Sequence, residues 1–252
     1  AGLDEPPPGT GWCNSSRQLC CFWERKLLQQ LRHPHSVSDV LIEPSVFGEG
    51  HTIRTLDVGG EGEQGEAQAL QKPTIVLIHG YANGLGVWFK CIDPLVDAGF
   101  RVLAIDIPGF ALSSRPEFPV SNDGSAAEGK MVEALDDWRK RMQLGGVVLC
   151  GHSFGAYIAA SYTLRYPRNV KQLLLVDPWG LPMRDPSALK EASLSRRLLL
   201  SSVGFLSQIV EPVTLLQLSG AYSMFARSRE HVVRNLDAQS RDAMMRCLSV
   251  CL

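Results

Sequence analysis

Between Thr74 and Gly180 the chain alternates short, unbroken apolar runs with longer amphipathic stretches. The runs are "TIVLIHG", "RVLAIDIPG", "GVVLC" and "VKQLLLVDPWG", rich in Val, Ile and Leu and punctuated by Gly or Pro. Between them, "VWFKCIDPLVDAG", residues 125–143 around Met131, Leu135 and Trp138, and residues 154–166 carry helical spacing. A strand that alternates apolar and polar residues has one wet face, whereas an unalternating run is covered on both. The pattern therefore predicts an α/β fold: a mostly parallel sheet with helices on both faces.

The flanks read differently. Residues 1–16 are rich in Pro, Gly and Ser, and disorder is expected there. "CFWERKLLQQLRH" places Phe22, Leu27, Leu28 and Leu31 at helical spacing, and two strands are expected near "DVLIEPSV" and "HTIRTLDV". "GGEGEQGEAQALQK" is polar and Gly-rich, the composition of a surface loop. Residues 186–245 hold leucine-rich helical stretches with no clear strand. Two readings stay open for them: a helical lid over the site with an apolar face for lipid, or helices packed on the domain. The expected division is a disordered N-terminus with a short helix over 1–36, an incomplete α/β core over 37–183 and a helical lid region over 184–252.

Composition narrows the class further. A chain of 252 residues with 45% hydrophobic and 20% charged residues can bury one substantial core. A formal charge of −1 gives no electrostatic reason to expect a nucleic-acid partner. The start "AGLDEPPPGTGW" has neither the basic stretch nor the apolar core of a secretory signal, and no apolar run approaches the roughly 20 residues of a membrane span. The Asn14-Ser15-Ser16 sequon then carries no glycosylation expectation. Seven cysteines, an odd number, read as reduced thiols in an intracellular, cytoplasmic setting. Cys13, Cys20, Cys21, His33 and His35 match no zinc spacing, so no metal is expected. Acylation of Cys20 or Cys21 at a membrane surface is a minor alternative.

The chemistry concentrates in "GVVLCGHSFGAY". A strand enters this G-x-S-x-G stretch and a helix leaves it, the context of a nucleophile elbow with Ser153 as nucleophile. Gly151 and Gly155 are expected to be required because side chains there would collide with the neighbouring strand and helix. A bland alternative is a serine that merely caps the helix. Acyl transfer needs two amide donors aimed at the oxyanion. The backbone N–H of Phe154 is one candidate, and that of Tyr81, in the loop of "LIHGYANGLGVW", is the other. His79 and His152 are poor candidates for the base, His79 reading as a structural support of its loop.

"HGYANGLGVW", "AIDIPGFALSSRP", "GHSFGAYIAASYTLRYP" and "LLLVDPWGLP" resemble successive blocks of the α/β-hydrolase superfamily. Within it they resemble the lysophospholipase and N-acyl phospholipid lipases, with the lipase co-activator and lysophosphatidate acyltransferase proteins. The resemblance covers about residues 75–183, and more loosely the start "GWCNSSRQLCCFWERKLLQQL". It implies a lipid substrate, no cofactor, and peripheral association with a membrane, lipid droplet or mitochondrial surface, to which Trp12, Phe22 and Trp23 would contribute. Co-activator members carry asparagine at the nucleophile position; this chain keeps Ser153, which favours ester or amide hydrolysis.

A serine hydroxyl needs a base within hydrogen-bond reach. In this fold the acid and then the histidine follow the serine along the chain. After Ser153 the only histidine is His231, in the helical "SREHVVRNL". Asp177 is a weak candidate for the acid, since the family more often draws it from the next strand. No H-x-x-x-x-D occurs, the fifth residue after His231 being Leu236. The family's last two strands, which carry the acid and histidine, are expected to be absent, corresponding to about 50 further residues. The sequence thus predicts a serine hydrolase of lipid metabolism, cleaving an acyl ester or amide of a phospholipid or lysophospholipid and inactive as this chain stands. The alternatives are a non-catalytic adaptor for a lipid surface or lipase, and a lysophosphatidate acyltransferase.

Overall fold

The computed structural model describes residues 17–60, 72–119 and 124–180, with 236–237, 240–241 and 243–244. The chain divides into two compact units, residues 1–180 with 242–252, and residues 181–241. In the second unit, Asp237 accepts the Ser240 N–H at 2.9 Å. The expected disordered start, the loop over 61–71 and the lid helices lie outside the described residues, as do Trp12 and His231.

The first unit is built on a six-stranded sheet in the order β1-β2-β4-β3-β5-β6. The strands are β1 (His35–Leu41), β2 (Thr52–Val58), β3 (Thr74–Ile78), β4 (Arg101–Ile105), β5 (Val147–His152) and β6 (Val170–Val176). β1 and β2 pair antiparallel, as do β2 and β4; the β4-β3-β5-β6 remainder is parallel. Among the described residues, helices α1 (Arg17–Leu28), α2 (Pro44–Phe47), α3 (Phe89–Asp97), α4 (Ser125–Arg141) and α5 (Phe154–Arg165) accompany the sheet, with 3-10 turns over Leu85–Trp88 and Pro167–Asn169.

The unbroken apolar runs are explained by the two faces. In β3, Val76 and Ile78 join a cluster with Trp138 of α4 and Ile158 of α5, while Ile75 and Leu77 join one with Leu28 of α1 and Ile92 of α3. Removing apolar surface from water on both sides at once favours a strand with no polar alternation. Trp138 donates its indole N–H to Thr55 Oγ1 at 2.9 Å, so the one polar atom of that buried ring is satisfied. β6 differs: Leu174, Leu175 and Val176 are exposed, and among the described residues its outer edge has no partner strand.

Two expectations shift. The strand read at "DVLIEPSV" begins earlier, at His35, and stops at Leu41. Proline locks φ and disfavours helix in the residue before it, so Glu43 is extended and Pro44 opens α2 at its first position. The N-terminal helix begins at Arg17, and Leu19, Cys20, Leu27 and Leu28 are buried. A buried Cys20 is closed to acylation, which removes it from that alternative.

Strand register brings the site together. Ile78 aligns with Ile105 on one side and with Gly151 on the other. The next residues, His79, Asp106 and His152-Ser153, therefore leave the sheet at one level, at the carboxyl ends of adjacent parallel strands. This is where α/β sheets place their ligands.

Candidate active site

Ser153 is the hinge between β5 and α5, at φ 52 and ψ −114. A non-glycine residue at positive φ costs about 1–3 kcal/mol and persists only where its surroundings enforce it. Here they do. Ser153 N–H donates to Val176 O at 3.0 Å, and Ser153 O accepts from Ala156, Tyr157 and Trp179 N–H at 3.1, 3.2 and 3.1 Å. The side chain occupies the N-cap position of α5 yet makes no capping hydrogen bond. The serine that merely caps its helix is therefore not what the structure contains.

The two flanking glycines have separate steric causes. A Cβ on Gly151 would lie 2.3 Å from Gly155 O, and a Cβ on Gly155 would lie 2.3 Å from His79 O and 2.5 Å from Ile78 O. The first turn of α5 thus rests directly on the backbones of β5 and β3. A third glycine, which no local sequence pattern marks, belongs with them. A Cβ on Gly80 would lie 3.1 Å from Ser153 Cβ and 3.0 Å from His152 Nδ1. Absence of a side chain at Gly80 lets the adjoining loop reach the serine.

That loop delivers Tyr81. Neither the Tyr81 N–H nor the Phe154 N–H donates to a described residue. The Phe154 amide is the first of α5, where helix geometry leaves donors without intrahelical acceptors and the dipole favours negative charge. Around these amides stands an aromatic cluster. Phe110 packs against Tyr81 and Phe154 at ring separations of 5.3 and 6.1 Å, and Trp179 against Phe154 and Tyr157 at 5.9 and 6.2 Å. Tyr81 is 51% and Trp179 61% exposed, so the serine sits beside an open apolar wall.

Among the described residues, no histidine hydrogen-bonds Ser153. His79 is fully buried and both ring nitrogens are engaged: Nε2 accepts Ile107 N–H at 2.9 Å, and Nδ1 donates to Gly80 O at 2.7 Å. Burial pushes its pKa down to about 4. It is a neutral brace between two strand ends. His152 turns towards Trp88, edge-on at 6.5 Å. Among the described residues, Ser153 Oγ has no hydrogen-bond partner. Asp177 follows β6 in the left-handed region at φ 44 and is exposed, and no described histidine pairs with it.

Asp106, in "AIDIPG", was not singled out from sequence. It is fully buried; Oδ1 accepts Leu85 N–H at 2.6 Å and Oδ2 accepts Leu112 N–H at 2.9 Å. Burial, reinforced by Glu24, pushes its carboxyl up to about 8 against the pull of those two donors. The buried Glu24 pairs with the half-buried Arg54 at 2.8 Å, joining α1 to β2. An acidic residue inside an apolar run, one step past a strand, was the available signal for Asp106.

Comparisons agree with this geometry. The naproxen esterase of Bacillus subtilis superposes with a TM-score of 0.60 at 15% identity, covering 91% of this chain and 66% of that one, a likeness of fold. The Caenorhabditis elegans abhydrolase domain-containing protein abhd-5.2 is 39% identical over 68% of this chain and 36% of its own length. The mouse (lyso)-N-acylphosphatidylethanolamine lipase is 42% identical over 46% of this chain and 34% of its own. The rat 1-acylglycerol-3-phosphate O-acyltransferase ABHD5 is 33% identical over 68% and 48%. The chain thus spans between about a third and a half of these relatives' lengths. The alpha/beta hydrolase fold profile matches residues 73–248. With a strained serine turn at the carboxyl end of a parallel sheet and that match over most of its length, the chain belongs to the alpha/beta hydrolase fold family.

Proposed function

We propose that this chain carries the nucleophile and oxyanion hole of a serine acyl hydrolase acting on an ester or amide of a phospholipid or lysophospholipid. The observation that carries the reading is Ser153, uncapped and strained, beside two amide donors with no described acceptor. Ser153 Oγ attacks the acyl carbonyl, and the Phe154 and Tyr81 amides take the oxygen as it gains charge. Each such donor is worth about 3 kcal/mol of barrier. Phe110, Phe154 and Trp179 supply an apolar wall for the acyl chain. The hydroxyl proton goes to a histidine from outside the described residues, oriented by an acid; Asp177 is the weaker choice for that acid. The lipid class rests on the named activities of the lipase and acyltransferase relatives and on the exposed aromatic wall. In this reading the protein works inside the cell at a membrane or lipid-droplet surface. Transfer of the acyl group to an alcohol instead of water uses the same attack.

A second reading, a non-catalytic adaptor for a lipid surface or a lipase, is favoured by the lack of a described base at Ser153. A fluorophosphonate probe separates the two. Labelling of the folded chain that disappears in Ser153→Ala supports the hydrolase. A folded chain that takes no label supports the adaptor.

A further inference from the structure

Asp106 lies outside the chemistry assigned above, yet it is a point where the backbones of the two walls of the site are joined. Its carboxyl group accepts one backbone N–H from each: Leu85, which opens the 3-10 turn after the Tyr81 loop, and Leu112, in the loop that carries Phe110. The second loop is also held from outside. Ser113 Oγ donates to Asp106 O at 2.7 Å and accepts Arg54 N–H at 2.9 Å, and Arg17 of α1 donates to Leu112 O at 2.8 Å.

We infer that Asp106 is a positioning residue for the Ser153 site: by bonding Leu85 and Leu112 at once, it sets the distance between the Tyr81 loop and the Phe110 loop. The requirement is geometric. Two acceptors on one rigid, buried carboxyl fix two donors relative to each other, and a loop amide carrying the oxyanion must be placed to a fraction of an ångström. Asparagine has the same shape but presents N–H₂ where one oxygen stood, so one of the two loop amides then faces a donor. The inference rests on the serine hydrolase reading for its functional meaning, but not for its structural test.

Three proteins test it: the full chain, Asp106→Asn and Asp57→Asn. The last breaks the Arg101–Asp57 pair between β2 and β4, which touches neither loop, and serves as a destabilised control. Hydrogen exchange is read at residues 82–88 and 108–114 against β3. The expected result is a loss of protection of tenfold or more in both loops of Asp106→Asn, beyond any change in β3, and none specific to the loops in Asp57→Asn. Fluorophosphonate labelling of Ser153 should slow tenfold or more in Asp106→Asn at matched folded fraction. It should hold in Asp57→Asn. Loops that exchange in step with β3 in Asp106→Asn overturn the inference, leaving Asp106 a structural residue only. If Asp106→Asn does not fold, the wild-type chain decides. Leu85 and Leu112 amides protected together and above their loop neighbours support it, and fast exchange at either sinks it. A wild-type chain that takes no label refutes the hydrolase reading alone, since the exchange result stands apart from it.

Discussion

Gly155→Ala is the substitution with the sharpest structural consequence. Its new methyl would lie 2.3 Å from His79 O and 2.5 Å from Ile78 O. Ordinary carbon contacts begin near 3.5 Å. The first turn of α5 must therefore lift about 1 Å off β3, because neither obstacle is a side chain that can rotate. Overpacking that side chains can absorb costs about 1–3 kcal/mol; against fixed backbone the upper figure applies, and we expect a loss of about 3 kcal/mol. Gly151→Ala presses the same turn from β5, with its methyl 2.3 Å from Gly155 O. One lift of α5 relieves both contacts, so the double variant should lose about 1–2 kcal/mol less than the sum of the singles. The assay is urea unfolding of wild type, both singles and the double, followed by far-ultraviolet circular dichroism. A Gly155→Ala loss under about 1 kcal/mol, or additivity within about 0.5 kcal/mol, would refute the picture of a helix wedged on two strand backbones.

Two further outcomes are expected. His79 titrates near 4 in the fold and near 6.5 when unfolded, so its contribution is complete above 6.5 and lost as pH falls through 4. That gap is worth about 3 kcal/mol. The stability difference between wild type and His79→Gln, whose carbonyl can still accept Ile107 N–H, should fall by that amount between pH 7.5 and 4, and a flat difference would mean the ring is not held neutral. At the Glu24–Arg54 pair, Arg54→Met alone strands the buried Glu24 carboxyl without its partner and should cost about 3 kcal/mol in urea melts, while Arg54→Met with Glu24→Leu should recover most of it. Equal losses would show the charge is not what matters there.

The parallel centre was legible because burial on both faces leaves its mark on the apolar runs of β3, β4 and β5. The tight strand-to-helix turn through Gly151, Ser153 and Gly155 was legible because its backbone admits few residues. Gly80 was less so: its requirement comes from Ser153, seventy-three positions away, and no local pattern carries it. Asp106 escaped for a related reason. The N–H groups it serves belong to Leu85 and Leu112, and a backbone donor leaves no signature in side-chain identity. Helix α2 replaced the tail of an expected strand because Pro44 decides the local backbone against the β-branched residues around it.

β6 gives the elbow an unusual mount. Its last carbonyl, Val176 O, holds Ser153 N–H, and the turn after it returns Trp179 N–H to Ser153 O. The strand itself is anchored along one side only among the described residues, with Leu174, Leu175 and Val176 open to solvent. An unpaired edge breathes more readily than a strand bonded on both sides. The serine's backbone is thus held from β6 as well as from the core, and any strand laid along β6 would steady the nucleophile without touching it.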